Sequence, residues 1–300
     1  MTSHLSSATT STALEPHFWT WQGHTICYTV QGSGLPLILV HGFGASIGHW
    51  RKNIPVLAEA GYRVFAIDLL GFGKSDKPPI DYTMELWQAL LKDFWAAHVQ
   101  EPAVFVGNSI GALLTLMMLA NHPELAQAGV LLNAAGGLNH RPEELNLPLR
   151  VMMGSFTKLV SSNVVGPFVF NRIRQKSRLR QTLKQVYCDR TAVTDELVDL
   201  LYEPSCDTGA QKVFAAILTA PPGPRPEELL PKVQQPLLVL WGEADPWTPI
   251  AGSKLYQSLA AQDPDRIKFV AIPNTGHCPH DERPEVVNSL IADWAKGLGR

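Results

Sequence analysis

Short apolar runs recur along the chain, and each ends in a turn-forming or polar residue such as Gly, Asp or Asn. Runs that are apolar on both faces predict strands buried on both sides, as in a parallel sheet covered by helices. Segments with helical periodicity lie between several of them, at 84–98, 110–121 and 250–261. This alternation is typical of a doubly wound α/β layer. The predicted strands are 35–40, 64–68, 104–107, 129–133, 236–242 and 267–273.

The sequence around this alternation completes the predicted core. Residues 17–32 alternate polar and apolar positions and predict an antiparallel hairpin that feeds the sheet. Pro284 marks the start of an amphipathic closing helix. Residues 103–120 form an uncharged stretch. Its length is about the shortest that could cross a bilayer. Glycines interrupt that stretch, so we expect a strand, a turn and a helix and no transmembrane segment.

The alternation breaks between residues 137 and 232, where the pattern is helical with clusters of proline. We interpret this insert as a cap over the carboxyl ends of the strands, where open α/β sheets bind their ligands. The prediction is an α/β protein with a mostly parallel central sheet flanked by helices. Its core comprises 17–136 and 233–300, its helical cap 137–232, and a disordered Ser/Thr-rich tail 1–16.

Composition narrows the function classes. Hydrophobic residues make up 45% of the chain, and the formal net charge is −2, which argues against a disordered chain and a general nucleic-acid binder. The four cysteines form no CxxC pair, so neither a zinc site nor a disulfide framework is expected. We predict no cofactor and no metal. Without an apolar signal region at the start, a cytoplasmic location is expected.

The pattern G-x-S-x-G, typical of a nucleophilic serine on a strand-to-helix turn, occurs at Ser46 and at Ser109. Only Ser109 has a predicted strand before it and a predicted helix after it. Such a turn lifts the hydroxyl clear of the sheet, and its glycines keep Cβ atoms away from the tight crossing. Ser109 is therefore the predicted nucleophile and Ser46 a chance match.

A serine hydroxyl needs a base, and in this architecture the chain order is Ser, then acid, then His. Downstream, the strand 236–242 leads to Glu243 and Asp245, and the last strand leads to His277. We assign His277 as the base and Asp245 as the acid that orients it, with Glu243 as the alternative acid. The backbone N–H groups of Phe43 and Ile110 are the predicted oxyanion donors.

Substrate contacts are predicted on the cap and around the triad. Apolar, adaptable side chains suit a large apolar ligand, although packing within the cap is an equal alternative. The candidates are Trp50, Met152, Met153, Phe156 and Trp247. Nine basic residues and one acid lie between 150 and 190, which leaves −10 for the rest of the chain. This basic segment predicts binding to an anionic bilayer, with a solvated cap face as the alternative.

At these motifs the sequence resembles the α/β-hydrolase family. Segments 41–50 and 66–78 are similar to epoxide hydrolases and haloalkane dehalogenases, but Ser109 stands where those enzymes have Asp. Segments 241–250 and 276–285 are similar to the chloroplast and cyanobacterial serine hydrolases that include chlorophyll dephytylase and pheophytinase. Ala112 departs from the second glycine that often follows the elbow. The absence of a transit peptide favours a cyanobacterial-type member.

The resemblance implies a serine hydrolase that cleaves a carboxylic ester of a bulky apolar substrate, such as the phytyl ester of chlorophyll or pheophytin. It also implies a peripheral position at a membrane such as the thylakoid. The alternatives are a C–C bond hydrolase or a cofactor-free perhydrolase or haloperoxidase with the same triad, and a non-catalytic ligand receptor on this fold. Oligomeric state does not follow from the sequence.

Overall fold

The core is one eight-stranded sheet, observed in a computed structural model that describes residues 14–139, 141 and 144–298. Most of the predicted tail, residues 1–13, lies outside the described residues. The strands are β1 His17–Trp21, β2 His24–Gln31, β3 Leu35–Val40, β4 Tyr62–Ile67, β5 Ala103–Asn108, β6 Ala126–Leu132, β7 Leu237–Gly242 and β8 Ile267–Ile272.

The strand order is β1-β2-β4-β3-β5-β6-β7-β8. The β1–β2 hairpin is antiparallel and joins the sheet antiparallel to β4, whereas β4 to β8 and β3 pair in parallel. The predicted α/β fold and its hairpin are thus confirmed. Because β3 to β8 run parallel, their carboxyl ends lie at the same edge of the sheet. The loops that follow these strands are therefore close together, although they are distant in sequence.

Alternate residues of the strands pack into two apolar layers. Ile38 and Phe65 face the layer that contains α2 Met84–Phe94 and α3 Ile110–Asn121. Leu37 and Val64 face the opposite layer, which contains α1 Ile54–Glu59 and α12 Pro284–Ala295. Burial on both faces explains why these strands are almost purely apolar.

The charge-free stretch 103–120 divides between β5 and α3. All six residues of β5 are buried, and α3 is buried from Ile110 to Leu119. Ser109 lies between them with φ 57°, so the chain reverses there and does not continue as one helix. No helix among the described residues is long and apolar enough to span a membrane.

Predicted helix ends move slightly in the structure. The predicted helix 84–98 ends as α2 at Phe94 and continues as a π-helical turn, Trp95–Val99, before Gln100 adopts a left-handed conformation. The predicted helix 250–261 begins as a 3₁₀ turn, Ile250–Ser253, and continues as α10 Lys254–Gln262. A short helix, α11 Pro279–Glu282, precedes α12.

Among the described residues, six α-helices lie between β6 and β7, in the region predicted to form the cap. They are α4 Leu147–Ser161, α5 Gly166–Ile173, α6 Lys176–Val186, α7 Asp195–Ser205, α8 Ala210–Thr219 and α9 Pro226–Leu229. We call α4 and α5 the outer pair and α6 and α7 the inner pair. The two pairs differ in how much apolar surface they bury.

The inner pair has a small apolar core of its own. Leu183 and Val186 of α6 pack with Leu197 and Val198 of α7, and Cys278 of the α/β core joins this cluster. The outer pair buries far less, since Val160 is the single buried residue of α4 in the structure described. This contrast places the inner pair against the core and leaves the outer pair largely exposed.

Candidate active site

Ser109 occupies the turn between β5 and α3. Its φ of 57° and ψ of −119° are strained for a residue with a side chain. The backbone holds this conformation, because Ser109 N–H donates to Leu132 O at 3.0 Å and Ser109 O accepts from Ala135 N at 3.1 Å. Ser46 has no such turn, since it lies in extended backbone before a 3₁₀ turn.

The glycines on either side of Ser109 are required by contact. A Cβ at Gly107 would overlap the carbonyl oxygen of Gly111, and a Cβ at Gly111 would overlap the carbonyl oxygen of Val40. The turn therefore needs glycine at both positions of the G-x-S-x-G pattern. No larger side chain fits there without a backbone shift.

His277 and Asp245 form a close pair at the ends of β8 and β7. Nδ1 of His277 lies 2.7 Å from Oδ2 of Asp245, and both residues are buried. Because a carboxylate only accepts, this contact places the ring proton of neutral His277 on Nδ1. Glu243, the alternative acid, is exposed. The structure brings Asp245 to His277.

Hydrogen bonds keep the Asp245 carboxylate ionised. Its oxygens accept from Trp247 N at 2.7 Å, Thr248 N at 3.1 Å and the hydroxyl of Thr248. Burial by itself would raise the pKa of Asp245, but the hydrogen bond and charge of His277 and the bonds from Thr248 outweigh it and lower the pKa to about 2. Asp245 is therefore ionised at neutral pH.

Asn133 is a site residue that the sequence analysis did not assign. It directly follows β6 and has φ 43°. Its Nδ2 donates to Asp245 Oδ2 at 2.6 Å, and its Oδ1 accepts from Gly242 N at 3.0 Å. It thus fixes the acid against the end of β7. The available signal was an Asn directly after a buried strand, a residue type that tolerates the left-handed region.

The loop that carries His277 is tied to both the elbow and the inner pair. Asn108 Nδ2 donates to His277 O at 2.9 Å, and His277 N donates to Val186 O of α6 at 3.0 Å. Glu282 accepts from Gly276 N at 2.8 Å and from Asp189 N at 2.7 Å. The base is therefore positioned partly by the helical region and not by the sheet alone.

The predicted oxyanion loop follows β3 and lies against Ser109. A Cβ at Gly42 would come within 3.3 Å of the Ser109 Cβ. His41 fixes this loop, because its Nδ1 donates to Gly42 O at 2.8 Å and its Nε2 accepts from Leu69 N at 3.1 Å. Burial lowers the pKa of His41 to about 4, so the ring stays neutral. Phe43 follows in this loop.

Ile110, the other predicted donor, is the first residue of α3. Backbone N–H groups in the first turn of a helix lack an acceptor within the helix, and the helix dipole adds positive potential there. The Phe43 loop and the Ile110 amide thus flank Ser109 from two sides. This arrangement suits an anion that forms next to Ser109.

A cavity of about 240 Å³ adjoins this site. Most of its walls are apolar, and Phe43 and Trp247 line it on the core side. The Trp247 ring lies 5.3 Å from the His277 ring, centroid to centroid. On its opposite side the cavity is lined by apolar residues of the helical region, namely Phe170, Ile173, Leu179, Leu183, Leu201 and Phe214.

The predicted substrate-binding residues fall into two groups. Trp247 lines the cavity, whereas Trp50, Met152, Met153 and Phe156 are not among the described residues that line it. Trp50 is 1% exposed and packs on the His280 ring at 4.1 Å, so its place is in the core. Met152 and Phe156 lie on exposed α4. These four residues lie away from this cavity, and a role for them in substrate binding stays a prediction.

Two cations of the described residues line the cavity, and both already have partners. Lys77 Nζ lies 2.8 Å from Asp207 Oδ2 and also donates to Gly73 O at 2.6 Å. Arg174 donates to Asn171 Oδ1 and to Cys206 Sγ, each at 2.7 Å. A substrate anion would have to compete for these groups. The cavity is thus better matched to an uncharged apolar group.

Two other chemistries receive no support from the geometry. Burial raises the pKa of the Cys278 thiol well above its ordinary value, so the residue beside His277 is not a thiolate nucleophile. Within residues 14–139, 141 and 144–298, no group of three or more His, Cys, Asp or Glu side chains is placed to hold a metal ion.

Comparison with known proteins identifies the family. The family model for the alpha/beta hydrolase fold matches residues 36–284, which contain the elbow, the acid and the histidine. The chain belongs to the alpha/beta hydrolase fold family. Among relatives, the chloroplastic pheophytinase of Arabidopsis thaliana is 28% identical over 87% of this chain, which spans 61% of the pheophytinase length.

Two further similar proteins are hydrolases with other names. The 2-hydroxy-6-oxo-6-(2'-aminophenyl)hexa-2,4-dienoic acid hydrolase of Metapseudomonas resinovorans is 32% identical over 86% of this chain and 83% of its own length. The crystal structure of a serine hydrolase involved in carbazole degradation has a TM-score of 0.73 at 28% identity, covering 95% of this chain and 99% of that one.

Proposed function

We propose that this alpha/beta hydrolase is a serine esterase that cleaves a carboxylic ester of a bulky apolar substrate. The observation that carries the proposal is the 2.7 Å contact between His277 and Asp245 beside the strained Ser109 turn, at an apolar cavity. This is the arrangement in which a base activates a serine and a buried acid orients the base.

Each residue then has one role. With Nδ1 bonded to Asp245, Nε2 of His277 is the ring nitrogen that takes the Ser109 proton as Oγ attacks the ester carbonyl. The backbone N–H groups of Phe43 and Ile110 stabilise the oxyanion. His277 returns the proton to the leaving alcohol, and it then activates the water that releases the acid and restores Ser109.

The cavity favours an ester over the bond that the dienoic acid hydrolase cleaves. A dienoic acid carries a carboxylate at neutral pH, and a carboxylate in this cavity would need a cation as its partner. Lys77 is already bonded to Asp207, and Arg174 is already bonded to Asn171 and Cys206. C–C bond hydrolysis stays the second candidate, because the 32% identical relative is named as the hydrolase of such a dienoic acid. The phytyl ester of chlorophyll or pheophytin is our narrower hypothesis within ester hydrolysis, supported by the similarity to pheophytinase.

A substrate panel tests the proposal. Purified protein is incubated with chlorophyll, pheophytin, medium-chain nitrophenyl esters, a 2-hydroxy-6-oxo-dienoic acid and an epoxide, and products are quantified by chromatography. Ser109→Ala is the matched control, since it removes only the hydroxyl and should leave thermal unfolding unchanged. We expect ester cleavage that Ser109→Ala abolishes. Turnover of the dienoic acid without turnover of any ester would instead assign the second candidate.

A further inference from the structure

The outer pair exposes an unusual amount of apolar surface. Of the fourteen exposed large apolar side chains among the described residues, nine lie between 147 and 168. Val164 is 85% exposed, Phe168 75% and Leu147 73%. The full set is Leu147, Leu149, Val151, Met152, Phe156, Leu159, Val164, Val165 and Phe168. A concentration of exposed apolar side chains in one short segment is typical of an interaction site.

The composition of α4 makes the same point. Eight of its fifteen residues are large and apolar, but only Val160 is buried. An amphipathic helix whose apolar side chains stay exposed is suited to lie in the interface of a membrane. At 1.5 Å per residue α4 is about 22 Å long, shorter than the ~30 Å core of a bilayer. It is therefore suited to lie along a membrane surface and not to cross one.

The charge of the outer pair identifies the kind of surface that it fits. Residues 147–175 contain Arg150, Lys158, Arg172 and Arg174 and no Asp or Glu. On the inner pair the cations are partly neutralised, because Lys176 pairs with Asp199 and Arg180 with Asp195. Positive charge next to exposed apolar side chains matches the headgroups and acyl chains of an anionic bilayer.

The outer pair also reaches the cavity. Phe168 of α5 faces outwards, whereas Phe170, two residues later, is buried against Phe214 at 5.4 Å between ring centroids. Phe214 in turn lies 6.0 Å from the Phe43 ring beside Ser109. One short helix thus connects the exposed apolar surface with the cavity next to the candidate nucleophile.

We propose that the apolar surface of α4 and α5 docks this hydrolase on anionic lipid membranes, and that a bilayer-dissolved substrate enters the cavity along α5. Docking does not depend on the proposed esterase activity, whereas the entry route rests on it. An experiment can therefore refute the docking proposal without refuting the proposed catalysis, and the reverse. A binding assay with the Ser109→Ala protein tests docking alone.

The test is flotation with phosphatidylcholine vesicles, with and without phosphatidylglycerol. We expect wild-type and Ser109→Ala proteins to float with the anionic vesicles, less so as NaCl rises. The double variant Val164→Asn/Phe168→Asn should bind about tenfold or more weakly, because two exposed apolar anchors are lost. Phe18→Asn/Val56→Asn, which removes two exposed apolar side chains from the α/β core, is the matched control and should bind like wild type.

A charge series completes the test. Arg150→Gln/Lys158→Gln/Arg172→Gln should weaken binding by about 100-fold, at roughly fivefold for each cation. The control Lys232→Gln/Lys254→Gln/Lys268→Gln removes three exposed cations elsewhere and should have little effect. All variants should keep the wild-type unfolding midpoint. Vesicle binding that is absent, or equally lost in both triple variants, would overturn the proposal. So would a dimer in sedimentation velocity that Val164→Asn/Phe168→Asn abolishes, because the surface would then belong to a second copy.

Discussion

The outer and inner helix pairs come from one stretch of chain but differ in what stabilises them. The inner pair buries Leu197 and Val198 completely. Val186 O at the end of α6 accepts from His277 N, and Asp189 N, just after α6, donates to Glu282. The outer pair exposes Leu159 and Phe168 and contains no acidic residue. The helical region therefore has two roles. The inner pair positions the base, and the outer pair exposes an apolar surface.

The strongest test of this contrast uses two glycines. A Cβ at Gly276 would overlap the carbonyl oxygen of Val186, whereas a Cβ at Gly154 on α4 meets nothing within 4 Å. We expect Gly276→Ala to reduce kcat at least about 1,000-fold, because it displaces the base, and to destabilise the fold by more than about 3 kcal/mol. Gly154→Ala should stabilise slightly, by up to about 1 kcal/mol. Ester turnover and urea unfolding measure both, and equal effects would contradict the contrast.

Acid should destabilise the α/β core and have little effect on the outer pair. Burial lowers the pKa of His41 and His49 to about 4 and that of His280 well below its ordinary value. As pH falls below about 6.5, the unfolded chain binds protons at these rings that the folded chain refuses, so stability falls. Burial raises the pKa of Asp68 to about 6 and also that of Glu282, which offsets part of the loss.

The net expectation is a loss on the order of 4 kcal/mol of unfolding free energy between pH 7 and pH 5. His280→Phe preserves a ring against Trp50 and should remove about a third of this slope. Residues 147–173 contain no His, Asp or Glu, so vesicle binding should change little over the same range. Urea unfolding at several pH values checks the slope, and an unchanged slope in His280→Phe would refute the assignment.

Truncation of one leucine in each pair tests the burial difference. Leu197 on α7 is fully buried, whereas Leu159 on α4 is 49% exposed. Leu197→Ala should lower the unfolding free energy by about 2–5 kcal/mol, because it leaves a cavity in the inner cluster. Leu159→Ala should change it by less than about 0.5 kcal/mol. If both cost the same in urea titrations, the outer pair is packed more tightly than we conclude.

The smallest expected effect concerns Glu282, which joins the His277 loop to the segment after α6. Glu282→Ala removes the acceptor for Gly276 N and Asp189 N, so His277 should lose alignment. We expect kcat to fall about 10- to 100-fold with KM within about threefold, because chemistry and not binding is affected. Lys158→Gln on α4 is the control and should match wild type on a water-soluble ester. A pure KM effect of Glu282→Ala would argue for a substrate contact instead.

Local chemistry made much of the fold and of the site predictable. Strands buried on both faces are nearly pure apolar runs, and the turn at Ser109 needs glycine on both sides, so both can be found in the sequence. The roles of other residues depend on contacts between distant segments. Trp50 packs on His280, and Asn133 meets Asp245 across the ends of two strands. Two cations of the basic segment 150–190 pair with Asp195 and Asp199, which lie beyond the end of that segment in the sequence.

The central claim is that Ser109 carries the acyl group during ester cleavage. Rapid quenching of the protein with a nitrophenyl ester, followed by mass spectrometry of its peptides, tests this most directly. We predict a burst of nitrophenol equal to the protein concentration and an acyl adduct on Ser109 that is absent from Ser109→Ala. An adduct on another residue, or full turnover in Ser109→Ala, would contradict the account.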